Sequence, residues 1–319
     1  MKKKYKVAII GAGRISCGFD SINDNHYLTH CHSIKDINEL EIIGIFDIDK
    51  EKVKSEAKKW NLIPYFNLNI LLNKNPEIIL IAVPNKFHEE YLIRLIRHKP
   101  ALVVCEKPLT NSISTSKSII ENYKKNKIPI TVCYQRRFDD EFLKIKKNFE
   151  QNKLGGLITG TVVYSKGILH NGSHSIDILM FLFGEIIKVK PTNSKVDYNP
   201  NDPTVSACIS FEYGDIHLIA ADERFHSIFE IDLIFEKKRY RFTDSGNFLE
   251  VFEVKPDPFY NGYYAFSRIS SDISSLNYAL KNMWIDIVKY LNTGKELNST
   301  GLTALKTQNN CDKILKSIS

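Results

Sequence analysis

Several clusters of residues in this chain have types and spacing suited to chemistry. The first is Gly11-Ala12-Gly13-Arg14-Ile15-Ser16, directly after a short apolar run. Gly11 permits a tight turn, and Gly13 lets backbone approach a pyrophosphate whose charge a following helix N-terminus favours. Ser16 is small enough for close helix–strand packing. Alone, the motif reads equally as a glycine-rich turn. Asp47 follows the second apolar run, where a carboxylate can accept hydrogen bonds from ribose hydroxyls. With Asp49 nearby, it would repel a 2′-phosphate, which favours NAD over NADP. The stretch from Ser16 to Asp47 is longer than the roughly 20 residues of the usual pattern, which implies an insertion of roughly ten residues, placed at 17–27.

Further clusters stand at the ends of later apolar runs. Val83-Pro84-Asn85-Lys86-Phe87-His88 closes one and opens a helix. Asn85 reads equally as a helix cap or a cofactor contact, and His88 as an exposed helical histidine or a site residue. Glu106-Lys107-Pro108 follows another. An ammonium there points at the same crevice, as a proton donor or a clamp on a substrate oxygen. A surface lysine is the plainer reading of Lys107 alone. The last cluster is Leu169-His170-Asn171-Gly172-Ser173-His174-Ser175-Ile176-Asp177. Ser173 suits the N-cap of a helix running to Phe183, with Gly184 as its stop. His174 then lies in the first turn, with Asp177 on the same face to orient it. His170 sits just before the cap.

The elements that must position these groups follow from the hydrophobic pattern. Continuous apolar runs at 5–10, 41–46, 78–83, 101–105 and 130–134 alternate with amphipathic stretches at 50–60, 87–98 and 112–126. That alternation predicts βαβ units and a parallel sheet covered on both faces. Runs at 158–165, 205–213, 216–221, 228–235 and 239–243 then follow one another across short polar turns, which predicts a mostly antiparallel sheet. Helices are expected at 140–151, about 174–183, 273–291 and 302–318. The expected organisation is an α/β Rossmann domain with a doubly wound parallel sheet over 1–125, then an α+β domain over 126–319, with Pro129 as a seam.

Composition narrows the function classes. The 319 residues are 43% hydrophobic and 25% charged, the profile of a globular domain rather than a disordered chain. No apolar run approaches the roughly 20 residues that span a bilayer. The formal charge of +7 raises the question of nucleic acid. Lysine is spread along the chain, however, and only Lys2, Lys3, Lys4 and Lys6 form a run, so the surplus reads as solvation rather than a binding stripe. The 6 cysteines form no C-x-x-C pair and suggest neither a disulfide framework nor a metal site. The apolar stretch near the start is too short for a signal-peptide core, which points to the cytoplasm.

Taken together, these residues resemble the glucose–fructose oxidoreductase/inositol dehydrogenase/MocA family. The matching pieces are Gly11–Ser16, Asp47, Ala82-Val83-Pro84-Asn85 with His88, Glu106-Lys107-Pro108, Cys133-Tyr134-Gln135-Arg136-Arg137-Phe138 and Gly172-x-His174-x-x-Asp177, in the family's order. Asn298-Ser299-Thr300-Gly301 before a helix also looks like the family's ending. The resemblance implies a C-terminal domain with an open sheet through which subunits join as dimers or tetramers. It implies cofactor contacts at Gly11, Gly13, Arg14, Ile15, Asp47, Val83, Pro84, Asn85, His88, Glu106 and Gln135. Lys107 and His174 would be the catalytic pair, with Arg137 and Asn171 beside them on the substrate. Many members carry an aspartate four residues before the catalytic histidine. Here that position is His170, a second imidazole that would bind substrate or share the acid–base task.

The expected activity is hydride transfer between NAD and a carbon bearing a hydroxyl or keto group of a sugar, cyclitol or nucleotide-activated sugar. Two alternatives use the same residues: a sugar hydrolase or lyase with transient oxidation, and an NAD-sensing binding protein without catalysis.

Overall fold

The computed structural model describes residues 3–318. The chain divides into two units. The first runs to Phe138 and takes back Asn277–Lys306; the second comprises Asp139–Leu276 and the chain from Thr307 on.

The first unit carries six strands: β1 (Tyr5–Ile10), β2 (Leu40–Phe46), β3 (Pro64–Tyr65), β4 (Ile78–Ile81), β5 (Leu102–Cys105) and β6 (Ile130–Val132). Among the described residues they form one 6-stranded sheet in the order β3-β2-β1-β4-β5-β6, every pairing parallel. The order reverses between β1 and β4, and at such a switch point ligands bind beyond the carboxyl ends of the strands. β4 and β5 are wholly buried, as strands covered on both faces must be. Helices α1 (His30–Lys35), α2 (Lys50–Trp60), α3 (Leu68–Leu72), α4 (His88–Leu95) and α5 (Ile113–Lys125) connect them. Apolar spacing explains the burial of Val53, Ala57 and Trp60 on α2, and of Leu92 and Leu95 on α4. Asp49 caps α2 and Ser112 caps α5.

The second unit opens with α6 (Asp140–Glu150), β7 (Leu157–Tyr164) and α7 (Gly172–Phe183). There follow β8 (Lys188–Asn199), β9 (Asp202–Phe211), β10 (Gly214–Ala220), β11 (Phe229–Phe235), β12 (Lys238–Thr243), β13 (Phe248–Pro256) and β14 (Tyr264–Ile273). They form an 8-stranded sheet in the order β14-β13-β12-β11-β7-β10-β9-β8. All its pairings are antiparallel except β7 with β10. Alternation along β9 and β11 sends Val205, Ile209, Ile231 and Leu233 into one core with Ile176 and Leu179 of α7. Helices α8 (Leu276–Thr293) and α9 (Gly301–Lys316) close the chain.

The fold class is as expected, and the seam is not. β6 pairs with β5, so the first unit extends past residue 125 to Phe138. It also reclaims α8 from residue 277. Thr131 Oγ1 donates to Ser299 O at 2.8 Å, Ser299 Oγ to Val132 O at 2.6 Å, and the Asn282 amide to Phe138 O at 3.0 Å. Strands β8, β13 and β14 were not expected. β8 and β14 are the sheet's edges, and β13 lies beside one. β8 and β14 are largely exposed and β13 is mostly half-buried, so none shows the buried alternation that marks the inner strands. Of the basic run at the start, Lys2 lies outside the described residues, and Lys3 pairs with Glu77.

Candidate functional site

The carboxyl ends of β1, β2, β4, β5 and β6 gather the expected residues of the first unit. Gly11 has φ +107°, and a Cβ there would overlap the Ala82 carbonyl just beyond β4. Glycine is therefore dictated by the fold itself. Gly13 differs. Its φ is −78°, and a Cβ would meet only Ala82 O at 3.7 Å and Lys52 Nζ at 4.0 Å. Nothing in the protein requires glycine at this ledge, and the space above it is open. The Asp47 carboxylate accepts from the Ala12 amide at 2.7 Å and the Asp49 amide at 3.0 Å, with Lys52 Nζ at 3.7 Å. It thus fixes the glycine turn from the end of β2. The bare ledge and the carboxylate one strand away fit the pyrophosphate and ribose of a dinucleotide.

The turn does not open directly into the α-helix that was expected. Arg14–Gly18 is one π-helical turn, with Arg14 exposed and Ile15 half-buried. Buried Ser16 donates to Gly13 O at 2.9 Å, the close packing its size allowed. The Cys17 carbonyl accepts from Trp60 Nε1 at 2.8 Å and Lys59 Nζ at 2.9 Å. Beyond lies the stretch read as an insertion. It is tied down by buried Asp20, whose carboxylate takes the Leu28 and Thr29 amides, the Thr29 hydroxyl and His32 Nδ1. Thr29 caps α1.

After β4, Val83 and Pro84 lead into a 3-10 turn, Asn85–Phe87, that Asn85 does not cap with its side chain. Asn85 is exposed and free of that structural duty. His88 is buried, which removes the exposed-histidine reading. Nδ1 lies 2.8 Å from Pro108 O and Nε2 3.0 Å from Val83 O, so the imidazole ties the β4 loop to the β5 loop. After β5, Lys107 is half-buried and the Lys107–Pro108 bond is cis. The Glu106 carboxylate turns inward, Oε1 to His30 Nε2 at 3.0 Å and Oε2 to the Lys107 amide at 3.2 Å. Burial opposes its charge, yet the His30 hydrogen bond and the charge on Lys107 hold the carboxyl below the usual glutamate range. Gln135 opens the turn Gln135–Phe138 after β6. Arg137, expected on the substrate, is buried, and Nη1 donates to Asn298 O at 3.1 Å. The guanidinium thereby fastens the returning segment, which is a structural duty.

In the second unit the site residues sit on a π-helical turn, Gly167–Asn171, and the start of α7. Asp202 shapes the turn by accepting the Leu169 amide at 2.7 Å and the His170 amide at 3.0 Å. Gly167 has φ +78°, and a Cβ there would overlap the Asp202 carboxylate. Thr204 Oγ1 accepts from Gly167 N and donates to Asp197 Oδ1, each at 2.7 Å. His170 is exposed, 5.6 Å from the Tyr198 ring; Asn171 and His174 are half-buried. Ser173 is not the cap. The helix begins at Gly172, and Ser173 Oγ donates back to His170 O at 3.0 Å. Asp177 is buried and accepts from Thr307 Oγ1 at 2.9 Å, which anchors α7 to α9.

Comparison with known proteins decides what the first of these arrangements is. Residues 5–134 match the GFO_IDH_MocA model, an oxidoreductase family with an NAD-binding Rossmann fold. Residues 5–134 belong to that family. An inositol 2-dehydrogenase of Mycolicibacterium gilvum is 31% identical over 153 residues, 43% of this chain and 42% of its own length. The chain thus matches less than half of that relative. Among solved structures, an NADPH-dependent oxidoreductase of Desulfitobacterium hafniense superposes with TM-score 0.83 at 18% identity, over 100% of this chain and 96% of the other. The WlbA dehydrogenase of Bordetella pertussis, solved with NADH and UDP-GlcNAcA, gives 0.75 at 17%, over 99% and 96%. These two likenesses show the fold.

Sequence reasoning missed His30, Trp284, Asp20 and Asp202. His30 and Trp284 meet across 254 positions, which no local pattern signals. The short run Asp202-Pro203 reads as a turn, and its role appears only once β9 lies beside β7's exit.

Proposed function

We propose that this chain is an NAD-dependent dehydrogenase acting on a CH–OH group of a sugar, cyclitol or nucleotide-activated sugar. One observation carries the reading: Lys107 follows β5 at the same sheet edge as the ledge at Gly13 and the Asp47 carboxylate. NAD, held at the Gly11–Gly13 turn and the Asp47 carboxylate, would supply the hydride acceptor. The chain's own residues handle the rest. His174 takes the hydroxyl proton of the substrate, and in the reverse direction returns it. The Lys107 ammonium stabilises the negative charge that develops on the oxygen. His170, whose amide Asp202 holds, and Asn171 contact the substrate's other hydroxyls. Asp47, with Asp49 beside it, supports NAD over NADP, because a 2′-phosphate would meet carboxylate there.

The reading extends to assembly. The tip of the β13–β14 hairpin exposes Phe259 at 87%, Tyr260 at 68%, Tyr263 at 70% and Tyr264 at 72%. Clustered large apolar side chains of this kind favour a partner surface, here a second copy joined through the sheet as a dimer or tetramer.

A panel of cyclitols, sugar phosphates and nucleotide sugars, assayed with NAD and NADP for nicotinamide reduction, tests the function. NADH formation with at least one member is expected. Turnover without net NADH would transfer the reading to transient oxidation.

A further inference from the structure

Behind Lys107 lies a buried chain of polar groups that the proposed reaction does not use. His30 is the first residue of α1 and is wholly buried. Trp284 of α8, also wholly buried, places its indole Nε1 3.0 Å from His30 Nδ1, the rings nearly perpendicular at 87°. An indole nitrogen only donates. Nδ1 must therefore accept, which puts the single proton of a neutral imidazole on Nε2. Nε2–H then donates to Glu106 Oε1 at 3.0 Å, while Glu106 Oε2 accepts the Lys107 amide at 3.2 Å. Each bond in the series fixes the direction of the next.

We propose that His30 is a positioning residue, locked by Trp284 in its Nε2–H tautomer, that holds Glu106 and through it the backbone of Lys107. This rests on the reading of Lys107 as the lysine that contacts the substrate oxygen. The stretch at 17–27 gains a purpose by the same argument. Asp20 gathers the Leu28 and Thr29 amides and the Thr29 hydroxyl, Thr29 caps α1, and the cap delivers His30 to Glu106.

The donor types invite a rival reading. His30 Nε2, a Glu106 oxygen and Cys133 Sγ lie within 4.8 Å of one another, as the ligands of a divalent metal would. A metal on Nε2 requires Nδ1 to carry the proton and donate it. The Trp284 N–H aimed at Nδ1 forbids that. Groups facing the ring are Glu106 from the β5 loop, Cys133 Sγ 3.9 Å away after β6, and Trp284 from α8; Lys107 acts through Glu106. Burial and the nearby Glu106 charge push the Cys133 thiol well up, so it stays protonated. A second ring proton would also have to face the Trp284 N–H.

Imidazole nitrogen NMR on the full chain tests this without reference to turnover. The His30 signals are assigned by their loss in His30→Gln. Wild type is expected to show a protonated Nε2 and a bare Nδ1. Trp284→Phe removes the lock, and His30 is then expected to populate both tautomers. A proton on Nδ1 in wild type, with or without added zinc, overturns the proposal, as does a His30 that behaves alike in wild type and Trp284→Phe. A kinetic arm completes the test. His30→Phe is expected to lose roughly 10- to 100-fold in kcat with the KM for NAD unchanged, because Lys107 is displaced rather than the cofactor ledge. His30→Gln, which keeps a donor toward Glu106, is expected to recover most of it. Equal loss in both variants overturns the positioning role. If no substrate is turned over at all, the proposed function falls and the tautomer measurement still judges the lock.

Discussion

Two glycines two positions apart are glycine for different reasons, and substitution separates them. Gly11 is required by its positive φ and by the Ala82 carbonyl. Gly11→Ala is expected to lose on the order of 2 kcal/mol or more of stability in a urea melt. Gly13 is not required by the fold. Gly13→Ala is expected to keep the wild-type melt and to weaken dinucleotide binding by calorimetry, because the methyl group occupies the ledge. Glu106 gives a second outcome at this scale. A carboxyl held low in the folded state stabilises it above the ordinary pKa of about 4.3, and that contribution is lost as pH falls through the folded value. Glu106→Gln is therefore expected to be less stable than wild type at neutral pH, with the gap narrowing below about pH 4 in urea unfolding. A gap independent of pH would contradict the assignment. Residues whose duties are local were legible in the sequence: Gly11, Ser16 and Asp47 lie at strand ends whose neighbours are implied by the motif. His88 and Arg137 were not, because their partners Pro108 and Asn298 are set by the tertiary fold.

At the scale of elements, the two π-helical turns mark where local reasoning stopped. Arg14–Gly18 stands where a helix start was expected after the glycine motif, and Gly167–Asn171 lies just ahead of the start expected at Ser173. Ser173 has the composition of a cap, but the upstream turn moves the helix start to Gly172 and leaves Ser173 bonded to His170 O. Asp202 holds that second turn. Asp202→Ala frees the Leu169 and His170 amides, at an expected cost of about 1–3 kcal/mol in denaturant unfolding. If His170 contacts substrate as proposed, the same variant raises KM for the substrate more than for NAD. The inner strands were legible because burial writes a pattern into them, continuous in β4 and β5 and alternating in β9 and β11. β8, β13 and β14 were not, since a strand at or beside a sheet edge has no obligation to an apolar pattern.

For the whole molecule, the length beyond one domain resolves into two units, but the boundary is not a single cut. The first unit ends at Phe138 and recovers residues 277–306, so a chain read only from one end to the other misplaces α8. The +7 charge is distributed in local pairs such as Lys54–Glu51 and Lys144–Glu141, which agrees with a solvated surface. Among the described residues no helix is long and apolar enough to cross a membrane. The assembly proposal predicts a light-scattering mass that is a multiple of 36.7 kDa. Tyr263→Lys combined with Tyr264→Lys is expected to return the monomer; an unchanged mass would remove the hairpin from the interface. The central claim, that Lys107 and His174 carry out proton and charge handling for hydride transfer to NAD, has one direct measurement. Wild type, Lys107→Ala and His174→Ala are each titrated with NAD and then assayed for NADH formation on a substrate of the panel. The account predicts that all three bind NAD alike and that each variant loses roughly 10²- to 10⁴-fold in kcat. Turnover at the wild-type rate in either variant, or a wild-type chain that does not bind NAD, would contradict it.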